Sequence, residues 1–224
     1  KTWSQRMSAE KPRHQRPEFA DFWDQRFQNG ITPWEAGQAP QLLCEFAVRY
    51  EQAHPLGGPP STRPGSSSVR WRVLVPGCGS AWDAAFLAQR GWETTALDFS
   101  AGAIESARAT LGERWPGTLL CADFFTFDPG TPFDVIYERA FLCALPRKLW
   151  ADYAQRMAQL LRPGGLLAGY FFFGETIKGP PFGILPQQLE NLLTPHCTRR
   201  EDRPVDHSLP VFAGSERWQV WQRN

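Results

Sequence analysis

A Gly-Cys-Gly turn at residues 77–79 constrains the fold of this chain more than any other feature. It follows the apolar run Trp71 to Val75 and precedes a helical run from Trp82 to Arg90. Asp98 closes the next apolar run, 19 residues after Gly79. Two glycines so placed allow a sharp reversal and let backbone approach a ligand closely. Alone, the turn reads equally well as a tight connection between strand and helix. A carboxylate about 20 residues on, at the end of a second strand, can accept hydrogen bonds from two ribose hydroxyls. Its competing reading is a helix N-terminal cap.

Around the turn, strand and helix patterns alternate. Strands are predicted at 71–75, 92–97, 118–122, 133–137 and 166–173, and helices at 82–90, 100–113 and 146–161. Ser100 caps the second of these helices, and Arg162-Pro163-Gly164-Gly165 ends the third. Such alternation predicts an α/β sheet, parallel through most of its width, with helices on both faces. After Phe173 the pattern changes to a Gly/Pro loop over 174–183 and a short helix near 186–193. Two segments, 196–201 and 217–222, then read as an antiparallel hairpin at the sheet edge.

The region before the sheet divides in three. Residues 1–16 are polar, basic and aperiodic, and are predicted to be a mobile arm. Residues 17–53 carry two helical patterns: Phe19, Phe22, Trp23 and Phe27 after Pro17, then Leu42, Leu43, Phe46, Ala47 and Tyr50. Residues 54–69 are rich in Gly, Pro and Ser and read as a flexible loop. The domain proper is thus 17–224, with its α/β core at 70–224.

Composition excludes several functions. Twenty-four Lys and Arg against 23 Asp and Glu give a net charge of +1, which offers nucleic acid no basic stripe. Apolar runs such as Leu166 to Phe173 are too short to span a bilayer, and no signal peptide opens the sequence. A soluble, cytoplasmic protein is expected, a monomer or weak oligomer. The five cysteines show no metal-ligand spacing, so no metal is expected, and Cys78, Cys121 and Cys143 read as buried free thiols.

In sheets of this kind ligands bind beyond the carboxyl ends of the strands. Asp98 at the second strand end and Asp123 at the third, beside the Gly77-Cys78-Gly79 turn, point to an adenosine-containing ligand. Asp123 can accept from an adenine amino group, or can simply open the turn before Phe124. A dinucleotide fold wants a third glycine at 82, where Trp82 stands, and no P-loop Gly-Lys-Ser is present. A ligand without phosphate fits better, and S-adenosylmethionine is the common one. Its sulfonium cation suits aromatic faces. Trp23, Phe27 and Trp34 can supply them, core packing being the alternative.

The stretch FADFWDQRFQNGITPWEAGQAP, with VLVPGCG, ALDFS, FDVIYERAFLCALP, LLRPGG and GPPFG, resembles the thiopurine S-methyltransferase family. That family includes plant-type halide and thiol methyltransferases, and the resemblance runs from about residue 18 to the C-terminus. It implies a seven-stranded class I methyltransferase (Rossmann-like) sheet, with the N-terminal helix folded over the cofactor as a lid. It further implies cofactor contacts at Trp23, Phe27, Trp34, Gly77, Gly79, Asp98, Asp123 and Phe124. Arg139, in YERAF, matches an arginine beside cofactor and substrate in the thiopurine enzymes, whereas the plant members carry tyrosine there.

Methyl transfer is an in-line displacement, so alignment supplies most of the catalysis. A thiol, with a pKa of roughly 8.5 in model peptides, needs little activation. Arg139 is the candidate catalytic residue, through its positive field; the alternative is a salt bridge to Glu138 or another carboxylate. No general base is assigned. Phe141, Phe173 and Phe182 are candidates to line a small apolar acceptor pocket. The expected reaction is S-methylation of a small thiol or sulfide. A halide or a selenium or tellurium acceptor is the alternative within the same chemistry, and a non-catalytic cofactor-binding partner the alternative outside it.

Overall fold

The computed structural model describes residues 10–55 and 70–224. Residues 1–9 of the predicted arm and 56–69 of the predicted loop lie outside the described residues. Seven strands form one sheet: β1 Arg72–Pro76, β2 Glu93–Asp98, β3 Thr118–Cys121, β4 Phe133–Arg139, β5 Leu161–Phe172, β6 Cys197–Pro204 and β7 Glu216–Arg223. Their order is β3-β2-β1-β4-β5-β7-β6. The first five run parallel, and β7 pairs antiparallel with both β5 and β6.

Among the described residues six α-helices surround it: α1 Ala20–Gln28, α2 Gln41–Ala53, α3 Trp82–Gln89, α4 Ala101–Leu111, α5 Trp150–Leu160 and α6 Pro186–Leu193. Side chains alternate across each strand, so every central strand feeds two cores. Leu74, Ile136, Leu167 and Phe171 pack with Trp150, Tyr153 and Met157 of α5 and with Leu189 and Leu193 of α6. Val73, Val75, Val135, Tyr137 and Tyr170 pack on the other face, with Leu43, Phe46 and Tyr50 of α2 and Ala84 and Leu87 of α3. Apolar side chains on both faces are why these strands read as continuous apolar runs.

Several boundaries differ from expectation. The helix predicted from Pro146 starts as a 3-10 turn, Arg147–Leu149, because Pro146 is extended at its ψ of 143°. The first helix begins at Ala20 rather than Pro17, since Phe19 before it is extended (φ −114°, ψ 144°). Strand β4 runs two residues past Tyr137, which puts Arg139 on the strand itself. Residues 10–16, read as part of an arm, hold a 3-10 turn at Arg13–Gln15. There the guanidinium groups of Arg13 and Arg16 lie 4.2 and 4.7 Å from the Phe19 ring centre. Cys121 is exposed rather than buried, because it ends the edge strand β3; Cys143 is buried and Cys78 partly so.

Candidate active site

The carboxyl ends of β1, β2 and β4 open into one cavity of about 870 Å³, roofed by α1 and the loop that follows it. That is within the usual range for a small-molecule site. Its walls include Trp23, Phe27, Trp34, Gly77, Gly79, Asp98, Asp123, Phe124, Arg139 and Phe141. Residues spread over more than a hundred positions of sequence thus meet in a single pocket.

The floor is the glycine turn. Gly77 and Gly79 both take left-handed backbone, at φ of 58° and 53°. A Cβ on Gly77 would run into the Phe141 ring, and one on Gly79 would stand 2.6 Å from Glu35 Oε1. The turn therefore needs glycine twice over, for conformation and for space. Asp98 beside it is buried, and its carboxylate accepts the Gly79 N–H at 3.1 Å and the Ser100 N–H at 3.0 Å. Burial outweighs these donors and pushes its carboxyl up to about 6.

Ser100 is the α4 cap expected from sequence, its hydroxyl accepting the Ala103 N–H at 3.1 Å. Asp123 does open a turn, accepting the Phe125 N–H at 2.8 Å, and also lines the cavity. Arg156 of α5 braces that turn by donating to the Phe124 and Phe127 carbonyls.

The roof is aromatic. Trp34 meets Trp23 edge-on at 5.5 Å and Phe27 at 6.0 Å. Two carboxylates that sequence reading missed pin it down. Asp24 Oδ1 accepts the Ser100 hydroxyl at 2.6 Å and the Gly102 N–H at 3.0 Å, fixing α1 on the start of α4. Glu35 accepts the Ser80 N–H at 2.8 Å. Their only sequence signal was position, Asp24 between two lid aromatics and Glu35 directly after Thr32-Pro33-Trp34. At the cavity rim Glu18 meets Lys148 at 2.8 Å and Arg16 at 3.0 Å, and these cations hold its carboxyl down at about 2.

Arg139 forms its salt bridge with Asp83 of α3, Nη1 lying 3.4 Å from both carboxylate oxygens, and not with Glu138. Its guanidinium also lies 5.7 Å from the Tyr170 ring centre. Glu138 points into the opposite core, because neighbouring strand residues face opposite ways. It accepts the Tyr153 hydroxyl at 2.7 Å and the N–H groups of Phe141 and Leu142 at 2.9 and 3.0 Å, which holds the loop carrying Phe141. Burial raises Glu138 to about 7.

Phe182 and Phe173 do not line the cavity. Both pack against the α5-side core, and Phe182 is drawn there by its N–H bonding the Cys143 carbonyl. Pro180 and Pro181 line the cavity in place of Phe182.

The buried carboxylate of Asp98, the left-handed glycine turn against Phe141 and Glu35, and the three ring faces above them fit an adenosyl sulfonium.

The model of the family described as thiopurine S-methyltransferase matches residues 19–224. A probable thiol methyltransferase 2 of Arabidopsis thaliana is 32% identical over 177 residues, 77% of this chain and 71% of that protein. Thiocyanate methyltransferase 1 of Brassica oleracea is 28% identical over 208 residues, 90% of this chain and 84% of that protein. Among solved structures, the 1,6-didemethyltoxoflavin-N1-methyltransferase of Burkholderia thailandensis, bound to S-adenosylhomocysteine, superposes with a TM-score of 0.68 at 17% identity. It covers 96% of this chain and 92% of its own. At that identity the likeness is one of fold.

Proposed function

The chain belongs to the thiopurine S-methyltransferase family, and from that premise we propose that it methylates the sulfur of a small thiol, with S-adenosylmethionine as methyl donor. The observation that carries this reading is the cavity itself. The buried Asp98 carboxylate, which this reading gives to the ribose, sits on the floor at hydrogen-bond distance from the glycine turn, beneath an aromatic roof.

The cofactor, when bound, supplies an electrophilic methyl group on a sulfonium. In this reading Asp98 holds the ribose, and Asp123 and Phe124 border the adenine. Gly77 and Gly79 give close backbone approach, and Trp23, Phe27 and Trp34 face the cation. Arg139 and Phe141 border the acceptor, with Pro180 and Pro181 at the far wall. A largely apolar, aromatic lining favours a soft, weakly hydrated nucleophile over an alcohol or amine. Five free cysteines, two of them buried, suit work in a reducing compartment such as the cytoplasm.

A second reading, methylation of a small soft anion, is supported by the relatives named for thiocyanate. One assay tests both. The protein is offered sulfide, methanethiol, a thiophenol, a thiopurine, thiocyanate and iodide with S-adenosylmethionine. Turnover of thiols ahead of the inorganic anions supports the first reading, and the reverse order supports the second.

A further inference from the structure

Arg139 does not present a free positive charge to the cavity. Asp83 lies 3.4 Å from it through both oxygens, and the two side chains are only 15% and 11% exposed. An acceptor arriving as an anion meets a neutralised pair. At this end of the cavity a thiolate finds the Arg139 charge already taken while Asp83 is ionised and bound to it. Asp83 is also the more basic for being buried, which raises its carboxyl above the usual range despite the arginine.

Beside it, the fully buried Tyr137 hydroxyl lines the same cavity with Asp83 as its hydrogen-bonding neighbour, though no bond of good geometry is completed between them. A buried hydroxyl without a well-formed bond is costly, and Asp83 is the group beside it that can complete one. The other titratable groups facing the pair are Tyr170 from β5, Glu35 from the roof and Cys44 from α2. Glu216 from β7 faces Arg139. None of these four is a cation; the Arg90 charge reaches Cys44, and among the described residues Arg139 is the cation seated against Asp83.

We propose that Asp83 is the general base for protic acceptors, and that taking up the proton releases Arg139 to stabilise the thiolate. The acceptor S–H bond breaks and its proton passes to a carboxylate oxygen of Asp83. The now neutral acid turns from Arg139 toward the Tyr137 hydroxyl, and the guanidinium faces the new thiolate. The thiolate pair then forms the C–S bond to the methyl carbon, while the electrons of the methyl–sulfonium bond stay with the departing thioether. The proton leaves Asp83 for solvent as the methylated product departs. Charge inside the cavity is conserved in the first step, so the buried pair is not left with an uncompensated charge.

This inference rests on the thiol-methylation reading and is tested by Asp83→Asn, which mimics the protonated acid. For an alkyl thiol at pH 7 the variant loses a base, and kcat/KM falls about a hundredfold or more. For thiocyanate or an ionised thiophenol it unmasks Arg139, and kcat/KM rises several-fold, by about three to ten times. Raising the pH toward the thiol's own pKa restores much of the alkyl-thiol rate. A merely structural role slows both acceptors alike, and that result overturns the proposal.

Binding gives an arm that needs no turnover and no variant. Calorimetry of alkyl thiol binding to the wild-type protein loaded with S-adenosylhomocysteine, in two buffers of different ionisation enthalpy, shows no net proton released to buffer. Release of one proton overturns the proposal, whether or not Asp83→Asn folds. If wild type methylates no thiol, the thiol reading falls and takes the base with it. If wild type is active and both acceptors slow equally in the variant, only the base assignment falls.

Discussion

Glu35 reaches from the roof loop to the floor of the cavity and accepts the backbone N–H of Ser80 at 2.8 Å, in the turn that carries Gly77 and Gly79. Lid and glycine turn are thereby one unit, and the roof is anchored through the backbone it covers. Hydrogen bonds to a charged group contribute about 1.5–3 kcal/mol. Glu35→Ala should weaken S-adenosylhomocysteine binding by about ten- to a hundredfold. Glu35→Gln, which keeps a carbonyl acceptor, should recover part of that. Calorimetric titration of both variants is the check, and affinities equal to wild type would show that the roof is held elsewhere.

Gly77→Ala should cost stability and cofactor binding together. The left-handed backbone at φ 58° penalises any side chain by about 1–2 kcal/mol, and the added methyl meets the Phe141 ring. Adding Phe141→Ala should relieve the clash but not the backbone strain. The double variant is therefore expected to melt above the single one and below Phe141→Ala alone.

The pH dependence of cofactor binding should follow Asp98. Its carboxyl is pushed up to about 6 by burial, so the folded protein keeps a proton that the unfolded chain has lost. Between about pH 4 and 6 the ligand-free fold binds more protons than the unfolded chain, and its stability falls as pH rises. Above 6 the full ionisation cost, about 3 kcal/mol, is in place. Ribose hydroxyls donate to the ionised form, so affinity for S-adenosylhomocysteine should rise with pH through about 6 and then level. Asp98→Asn should remove that step. Glu138 titrates nearby, at about 7, and a step surviving in the Asn variant would belong to it.

Asp24→Ala should loosen the roof without touching the cavity floor. Both of its partners, the Ser100 hydroxyl and the Gly102 N–H, belong to the start of α4, and both bonds are charge-assisted. A loss of about 1.5–3 kcal/mol is expected. Amide exchange should rise first in α1, since that helix is joined to α4 by this side chain; uniform exchange along the chain would contradict the placement.

The order of strands and helices was legible because each central strand is apolar on both faces and most of the helices carry one apolar stripe. The glycine turn, Asp98, Asp123 and the lid aromatics were legible because their chemistry is tied to fixed places along a strand–turn–helix unit or to a family pattern. Phe182 was misplaced for a physical reason. Its hydrophobicity fits a pocket wall and a core equally, and the Cys143 carbonyl decides between them. Cys121 was read as buried because an apolar run does not say whether its strand lies at the centre or the edge of a sheet.

What the sequence determined by itself is the local grammar: which segments are strands, where the turn needs glycine, and which side chains could hold an adenosyl group. Tertiary structure decided the pairings. Arg139 was expected to act as a cation or to bond Glu138 or another carboxylate, and the fold chose among these, because adjacent residues on a strand face opposite cores. Glu138 is thereby sent to Tyr153, and Arg139 meets Asp83, 56 positions away. Asp24 and Glu35 find their partners 76 and 45 positions away. A charge is visible in a sequence, whereas its neutralisation depends on which groups the fold brings within a few ångströms of it.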